Sequence, residues 1–289
     1  MKFIINIPGA FLVFLGAFCL SFGGLIIKSF EDANLWQILF WRQSFFVLTV
    51  ALYLIFIYKK NFFNAFYISG LPGLFAGFVL SIGFSAYVFS MYYTTVANTN
   101  FIITTETIFL AIFGYFFLKE KIDLITFLSI IFGMFGVLLI LGNSISIQSN
   151  EQLIGNIVAF LMPISFAILI IIIRKYPSID MVPAQFIAGV FAAIIGYCIA
   201  KNLTISIHDL YLAFIAGFFQ IGFGFILITI GSQTTPSAVV GILMLSEAVF
   251  GPLWTWLFIN ETPPLSVILG GGIIIFSILI HSCFRKKNN

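Results

Sequence analysis

The chain has 289 residues, of which 61% are hydrophobic and 8% are charged. An average soluble domain is about 45–50% apolar and about 25% charged. The 13 basic and 10 acidic residues, 23 in all, are too few to solvate a globular surface of this size. The composition therefore excludes a soluble enzyme, a nucleic-acid-binding protein and a disordered chain, and it predicts an integral membrane protein that has the lipid bilayer as a partner.

The reactive side chains are isolated from one another. Cys19, Cys198 and Cys283 lie within or at the end of apolar runs and form no Cys-x-x-Cys pair. His208 and His281 lie near the ends of apolar segments, and no His or Asp cluster is present. The sequence therefore predicts no disulfide framework, no metal site and no cofactor.

Charges and turn residues divide the chain into ten apolar spans. A transmembrane helix needs about 20 apolar residues, so ten of them leave short loops and no extramembrane domain. Two pairs of spans have no charge between them, and the polar runs 93–98 and 232–236 mark these breaks. The predicted spans are 7–27, 35–58, 68–92, 97–118, 124–142, 153–173, 181–200, 208–231, 236–258 and 264–284.

The basic residues predict how these spans are oriented. If the N-terminus is inside, the outer loops carry only Lys28 and Lys201, and the inner segments carry ten basic residues, as the positive-inside rule requires. The inner residues are Lys2, Lys59, Lys60, Lys119, Lys121, Arg174, Lys175, Arg285, Lys286 and Lys287. Both termini are then cytoplasmic, which requires an even number of spans and agrees with ten.

Residues 94–121 and 234–262 repeat one pattern. Each stretch begins with two threonines, carries a glutamate in mid-span and ends near a second glutamate 14 residues later. The equivalent glutamates are Glu106 with Glu247, and Glu120 with Glu261. Such self-similarity is typical of an internal repeat.

Weaker matches extend this repeat upstream, where Gln43 aligns with Gln185 and Ser21 aligns with Ser165. We therefore predict two homologous five-span halves, residues 1–143 and residues 152–289. Because five is odd, the second half must enter the membrane from the opposite side. The predicted fold class is all-α integral membrane, with ten transmembrane helices as two inverted five-helix repeats.

The segment 246–261, which reads SEAVFGPLWTWLFINE, resembles span nine of the EamA-type transporters of the drug/metabolite transporter (DMT) superfamily. The paired glutamate motif and Arg42 in span two also fit, and the resemblance covers essentially the whole chain. It implies a ten-helix carrier in a bacterial plasma (inner) membrane that exports or imports amino acids or other small metabolites. It also implies a cavity lined by spans one, three, four, six, eight and nine. Many members have a proline near the middle of span four, where this chain has Thr105-Glu106-Thr107, so a helix break there is left open.

Three charges lie deep in the predicted spans: Arg42, Glu106 and Glu247. Each costs about 2.5–3.5 kcal/mol at the bilayer centre on insertion scales, which makes each a candidate for function. The glutamates could take up and release a proton, or bind the ammonium group of a substrate. In a structural alternative, Arg42 pairs with one glutamate and locks the helices together.

Polar and aromatic side chains complete the predicted substrate and proton site. Trp254, two helical turns beyond Glu247, could stack on a substrate or pack against a neighbouring helix. For the glutamines, including Gln185, hydrogen bonds between helices are the favoured interpretation. The further site candidates are Gln43, Gln220, Asn98, Ser21 and Ser165.

The inverted repeat predicts a secondary active transporter that works by alternating access. Proton coupling is one version, and an uncoupled facilitator or exchanger of small metabolites is the other. An intramembrane serine protease would need a mid-membrane histidine beside a motif such as Gly83-Phe84-Ser85, and both histidines lie near span ends. A channel is disfavoured because polar residues are sparse and no filter-like loop is present. The sequence leaves monomer and homodimer open.

Overall fold

The computed structural model describes residues 7–94, 96–141, 149–259 and 265–284, and these residues are helical with short connections and no strand. A 3-10 turn at Lys59–Asn61 and a π-helical segment at Ile215–Phe223 join pairs of α-helices. The α-helices are α1 (Gly9–Leu20), α2 (Gly23–Lys28), α3 (Leu35–Tyr58), α4 (Phe62–Tyr93), α5 (Val96–Thr104), α6 (Glu106–Leu118), α7 (Leu124–Leu141), α8 (Asn150–Ala159), α9 (Leu161–Lys175), α10 (Val182–Ile199), α11 (Ile207–Phe214), α12 (Gly224–Ser232), α13 (Ser237–Met244), α14 (Ser246–Ile259) and α15 (Leu265–Phe284).

Within the described residues, eight helical stretches are long and apolar enough to cross a membrane. One of them, Leu35–Tyr93, has 59 residues and consists of α3 and α4 with the 3-10 turn between them. The helix Leu124–Ile140 is apolar but slightly shorter than the others. The prediction of an all-helical integral membrane protein is thus confirmed. Several residues used to predict orientation and repeat lie outside the described residues, namely Lys2, Glu261, Arg285, Lys286 and Lys287.

Polar caps begin several of these apolar helices. Asn34 accepts hydrogen bonds from the backbone N–H groups of Trp36 and Gln37, and the Gln37 side chain accepts one from the Asn34 N–H, which forms a capping box at the start of α3. Asp123 accepts a hydrogen bond of 2.7 Å from the Thr126 N–H at the start of α7. These side chains satisfy backbone groups that a membrane interior would leave unpaired.

Side-chain hydroxyls mark three breaks within predicted spans. The Thr105 hydroxyl donates to the Ile102 carbonyl at 2.5 Å, and the Thr105 N–H bonds the same carbonyl, between α5 and α6. The Ser246 hydroxyl donates to the Leu243 carbonyl at 2.7 Å between α13 and α14. Between α1 and α2, the Ser21 hydroxyl likewise donates to the Phe18 carbonyl, three residues earlier in the chain. Hydroxyls that bond carbonyls of the preceding turn bend helices. The break at Thr105, which the sequence left open, therefore forms without a proline.

A proline and a glycine account for two further bends. Pro163 has no N–H to offer the carbonyl four residues earlier, and the helix is interrupted at Phe160 between α8 and α9. Gly70 bends α4 with φ +53° and ψ −152°, a conformation essentially restricted to glycine. The helix before this bend begins at Phe62, six residues earlier than the predicted start of span three.

The helices pack mainly between the first and second parts of the chain. The helix α1 packs against α12, α4 packs against α9, α3 packs against α10, α6 packs against α13, and α7 packs against α15. Small residues allow these close approaches: a Cβ on Gly16 would lie 2.7 Å from the Gly224 carbonyl oxygen, and one on Gly270 would lie 2.5 Å from the Gly136 carbonyl oxygen.

Four buried phenylalanines from four helices form the centre of the core. Phe46, Phe84 and Phe166 each lie with their ring centroids 5.0–6.2 Å from that of Phe225. Large apolar side chains also cover the outside of the bundle, including Phe56 and Leu71, each 80% exposed. Such an apolar exterior fits a lipid surround better than water.

Candidate functional site

Arg42, on α3, is a buried cation with an incomplete set of partners. Its side chain is 3% exposed, its Nη2 lies 3.5 Å from Gln220 Oε1, and its guanidinium carbon lies 5.0 Å from the centre of the Tyr87 ring. Nε and Nη1 have no hydrogen-bond partner among the described residues. In the described ranges no ion pair joins Arg42 to Glu106 or Glu247, so the predicted helix lock is not found.

Gln220 connects Arg42 to α1 from within the π-helical segment. Its Nε2 donates to the Leu20 carbonyl at 3.2 Å, while its Oε1 faces Arg42. π-Helical turns are rare and frequently occur at functional sites. A Cβ on Gly23 would lie 2.8 Å from Gln220 Nε2 and 3.0 Å from the Tyr87 hydroxyl, so a larger residue there would displace these side-chain ends.

The two candidate glutamates lie at the starts of half-helices. Glu106 is the first residue of α6 and is 3% exposed, whereas Glu247 is in the first turn of α14 and is half-buried. The charges of the two carboxyl groups interact with each other, and that of Glu247 also interacts with Tyr87. Neither carboxyl group makes a hydrogen bond or ion pair within the part of the chain that the structure describes.

Both glutamates were predicted to lie in mid-span, with a helix break at Glu106 left open, and in the structure each follows a break, at Thr105 and at Leu245. The breaks before Glu106 and Glu247 place each carboxyl group beside free backbone N–H groups and the positive end of a helix dipole.

Trp254 joins α14 to the junction between α1 and α2. Its indole N–H donates to the Ser21 hydroxyl at 2.8 Å, and its ring stacks on Phe22 with centroids 4.4 Å apart and planes at 12°. Phe22 also contacts Phe219, which precedes Gln220, at 6.0 Å. The structure therefore brings the candidates Trp254 and Ser21 together at an aromatic wall next to Gln220.

Asn98 and Ser165 lie in two other contacts. The Asn98 side chain donates to the Thr94 hydroxyl at 3.0 Å, which donates to Asn156 Oδ1 at 2.7 Å and so links α4 and α5 to α8. Ser165 packs closely against α4, since a Cβ on Gly83 would lie 2.8 Å from the Ser165 Cβ. Both contacts are typical of helix packing.

The glutamines behave differently from one another. Gln185 donates to the Phe225 carbonyl at 2.8 Å and contacts the Thr229 hydroxyl, which agrees with the predicted bond between helices. Gln43 is fully buried, and within the described ranges its amide atoms have no hydrogen-bond partner, so the same prediction is wrong for Gln43. Tyr87 is the site residue that sequence reasoning missed, because one tyrosine among several in a phenylalanine-rich span carries no distinguishing signal.

A second polar cluster joins the two parts of the chain at the end of the bundle near Lys119. Glu120 Oε1 accepts from Nε and Nη2 of Arg174 at 2.9 and 2.8 Å, and Oε2 accepts from the N–H and hydroxyl of Ser237 at 2.9 and 2.6 Å. Arg174 Nη1 also donates to the Gln233 carbonyl at 3.0 Å. We call these four residues the Glu120 cluster. Glu120 therefore caps α13, and Asp123 caps α7.

Comparison with known proteins gives consistent matches. A model of the EamA-like transporter family matches residues 7–142 and again residues 153–283. An uncharacterized transporter of Clostridium kluyveri is 24% identical over 220 residues, which cover 73% of this chain and 71% of the relative. An uncharacterized transporter of Methanothermobacter thermautotrophicus is 26% identical over 198 residues, which cover 64% of this chain and 55%, or little more than half, of the relative. A solved crystal structure has a similar fold, with a TM-score of 0.79 at 13% identity over 95% of this chain and 96% of the other.

Proposed function

This chain belongs to the EamA-like transporter family, part of the drug/metabolite transporter superfamily, and we propose that it carries a small metabolite across the membrane by alternating access. Family and relatives indicate transport of small molecules across a membrane rather than enzymatic activity. The proposed cargo is an amino acid or a related compound. In the proposed architecture, ten spans form two inverted halves, residues 1–143 and 152–289.

The helix contacts support this inverted repeat. A two-fold axis that exchanges the halves would exchange span one with span six and span three with span eight. The contact of α1 with α12 then corresponds to that of α9 with α4, and the contact of α3 with the π-helical segment corresponds to that of α10 with α4. The pairs α3 with α10 and α7 with α15 map onto themselves. The helix packing is thus the same after the two halves are exchanged, as expected if the halves can swap conformations.

The observation that carries the proposal is the pair of glutamates at half-helix starts. Glu106 and Glu247 are repeat equivalents, each follows a helix break, and their charges interact. Broken helices near the centre of inverted repeats are where secondary transporters bind substrates and coupling ions. Two neighbouring carboxyl groups of like charge favour a state in which one holds a proton or faces a cation. We propose that they carry a proton or hold the ammonium group of the cargo.

The Glu120 cluster supports a closed conformation at one end of this site. It joins α6 of the first half to α9 and α13 of the second. Opening that end would require the ion pair between Glu120 and Arg174 to break. Basic residues are concentrated at the ends of the helices here, as at Lys119 and Lys175. The positive-inside rule makes this the cytoplasmic side in our proposal, with both termini cytoplasmic and a bacterial plasma membrane as the location.

Transport by Glu106→Gln and Glu247→Gln variants across pH 5.5 to 8.5 tests the role of the glutamates. Because glutamine keeps the size but cannot exchange a proton, we expect the pH dependence of uptake to disappear in at least one variant and the rate to fall at least tenfold. The matched control is Glu151→Gln, since Glu151 is an exposed glutamate in the first turn of α8. Wild-type rates and pH profiles in both variants would contradict the role of the glutamates. Uptake without any pH dependence in the wild type would favour an uncoupled facilitator.

A further inference from the structure

Arg42 presents charged hydrogen-bond donors to the interior of the protein that no other described residue uses. A guanidinium group has five N–H donors, one on Nε and two on each Nη. The three on Nε and Nη1 have no partner among the described residues, and the contact of Nη2 with Gln220 is long, at 3.5 Å. A charged group left in this state is costly, and most buried polar groups in proteins are paired. The arrangement therefore calls for an anionic partner beyond the described residues.

We propose that Arg42, Gln220 and Tyr87 form the subsite that binds a carboxylate group of the transported compound. This inference rests on the proposed function and names the chemistry of its cargo. A guanidinium binds a carboxylate through two parallel N–H···O bonds along one edge. Each usable edge, Nε with Nη2 or Nη1 with Nη2, includes a nitrogen that is free in the described structure.

The surroundings hold Arg42 in place without neutralising it. The Tyr87 ring supports one face of the guanidinium at 5.0 Å, and Gln220 is itself held by the Leu20 carbonyl. The Tyr87 hydroxyl and the Gln220 amide both lie next to the Cα of Gly23, which has no side chain to separate them. Because the groups that position Arg42 are neutral, its positive charge can pair with an anionic ligand. A glutamate partner would already have neutralised this charge.

The neighbouring groups indicate what the rest of the cargo contacts. The stacked Phe22 and Trp254 adjoin this subsite through Leu20 and Phe219, and they provide an apolar wall. Glu247 lies within electrostatic range of Tyr87 and can attract an ammonium group. A compound with a carboxylate and an apolar portion therefore fits this subsite and its wall. An amino acid would in addition place its ammonium group near Glu247.

Binding and flux measurements on the purified full-length chain in proteoliposomes test this subsite. The probes are the standard amino acids, their carboxamides, their decarboxylated amines, the corresponding 2-oxo acids, and inorganic phosphate. We expect at least one carboxylate to bind and to be transported, with its carboxamide bound about tenfold to a hundredfold more weakly, as for loss of a charged hydrogen bond.

Variants then assign the preference to Arg42. In Arg42→Gln the advantage of the carboxylate over its carboxamide should vanish, and in Arg42→Lys, which keeps the charge but lacks the planar edge, it should shrink. The control Lys175→Gln removes an exposed positive charge and should keep the full preference. If Arg42→Gln does not fold, the Arg42→Lys variant and the comparison of carboxylates with carboxamides in the wild type still test the subsite.

Three results would overturn the carboxylate subsite: equal binding of carboxylates and carboxamides, binding of phosphate alone, or no carboxylate bound. Amines or carboxamides transported with saturation in those cases would leave the carrier function intact. Absence of saturable flux for every probe would instead contradict the proposed function.

Discussion

Asp180 shows how burial of one charge affects stability outside the membrane spans. Its side chain, between α9 and α10, is 7% exposed and accepts hydrogen bonds from the Val182 N–H at 2.9 Å and the Tyr58 hydroxyl at 3.0 Å. Burial raises the pKa of Asp180 above its ordinary value, because the two hydrogen bonds offset the loss of water only in part. Stability from this group is therefore greatest at low pH and decreases as the pH rises through the folded-state pKa.

We expect Asp180→Asn to raise the melting temperature near pH 7.5. Asparagine can accept from the Val182 N–H and donate to the Tyr58 oxygen, so it keeps both contacts without a buried charge. The advantage should disappear towards pH 4, where the wild-type carboxyl group is protonated. Thermal unfolding in detergent at both pH values measures this, and a variant less stable than the wild type at pH 7.5 would contradict it.

The candidate site was predictable from sequence where a residue was chemically out of place. Arg42, Glu106 and Glu247 are charges in apolar spans, and the cost of burying a charge is what makes them conspicuous. Tyr87 could not be found in this way, since it carries no charge and lies among many aromatic residues of an apolar span. The partners of Trp254 and Ser21 depend on how α14 meets α1, which no local pattern records.

Helix breaks explain most differences between predicted spans and observed elements. Hydropathy determines where a chain can cross a membrane, and it predicted the span carrying α5 and α6 to within a few residues. It does not detect the bond from the Thr105 hydroxyl to the Ile102 carbonyl, which separates these helices and gives Glu106 its position at a helix start. Threonine and serine occur often in intact membrane helices, so their presence alone does not predict a break.

The Glu120 cluster predicts a stability effect at the ends of three helices. Glu120→Gln removes the ion pair with Arg174 and places an amide N–H₂ where two sets of donors now converge. Because hydrogen bonds to charged groups are the stronger ones, we expect a loss of about 1–3 kcal/mol in the free energy of unfolding. Thermal or denaturant unfolding in detergent measures this.

The control for this prediction is again Glu151→Gln, which removes an exposed charge of the same kind at the start of α8. It should lower the stability by less than about 1 kcal/mol, the usual size of a charge effect at a helix end. Equal losses in the two variants would show that the Glu120 cluster does not join the two halves strongly.

For the molecule as a whole, the positions of Glu106 and Glu247 in the sequence predict the repeat, and their exposure in the structure differs. The proposed repeat was predicted from glutamate positions, and the structure places Glu106 and Glu247 alike, each in the first turn of a helix that follows a break. The unequal exposure of these two residues could not be predicted, because it describes one conformation of a pair that the proposed mechanism exchanges. Sequence symmetry therefore predicts the architecture, and the structure adds that Glu247 is more exposed than Glu106.

Solute counterflow in proteoliposomes tests alternating access most directly. Vesicles that contain the full-length chain are loaded with one unlabelled compound of the amino acid and organic acid panel and diluted into a trace of the same compound in labelled form. A carrier that exposes one site alternately to each side should accumulate the label transiently above equilibrium for at least one compound. Simple equilibration of the label without an overshoot, or no protein-dependent flux for any compound, would contradict the account.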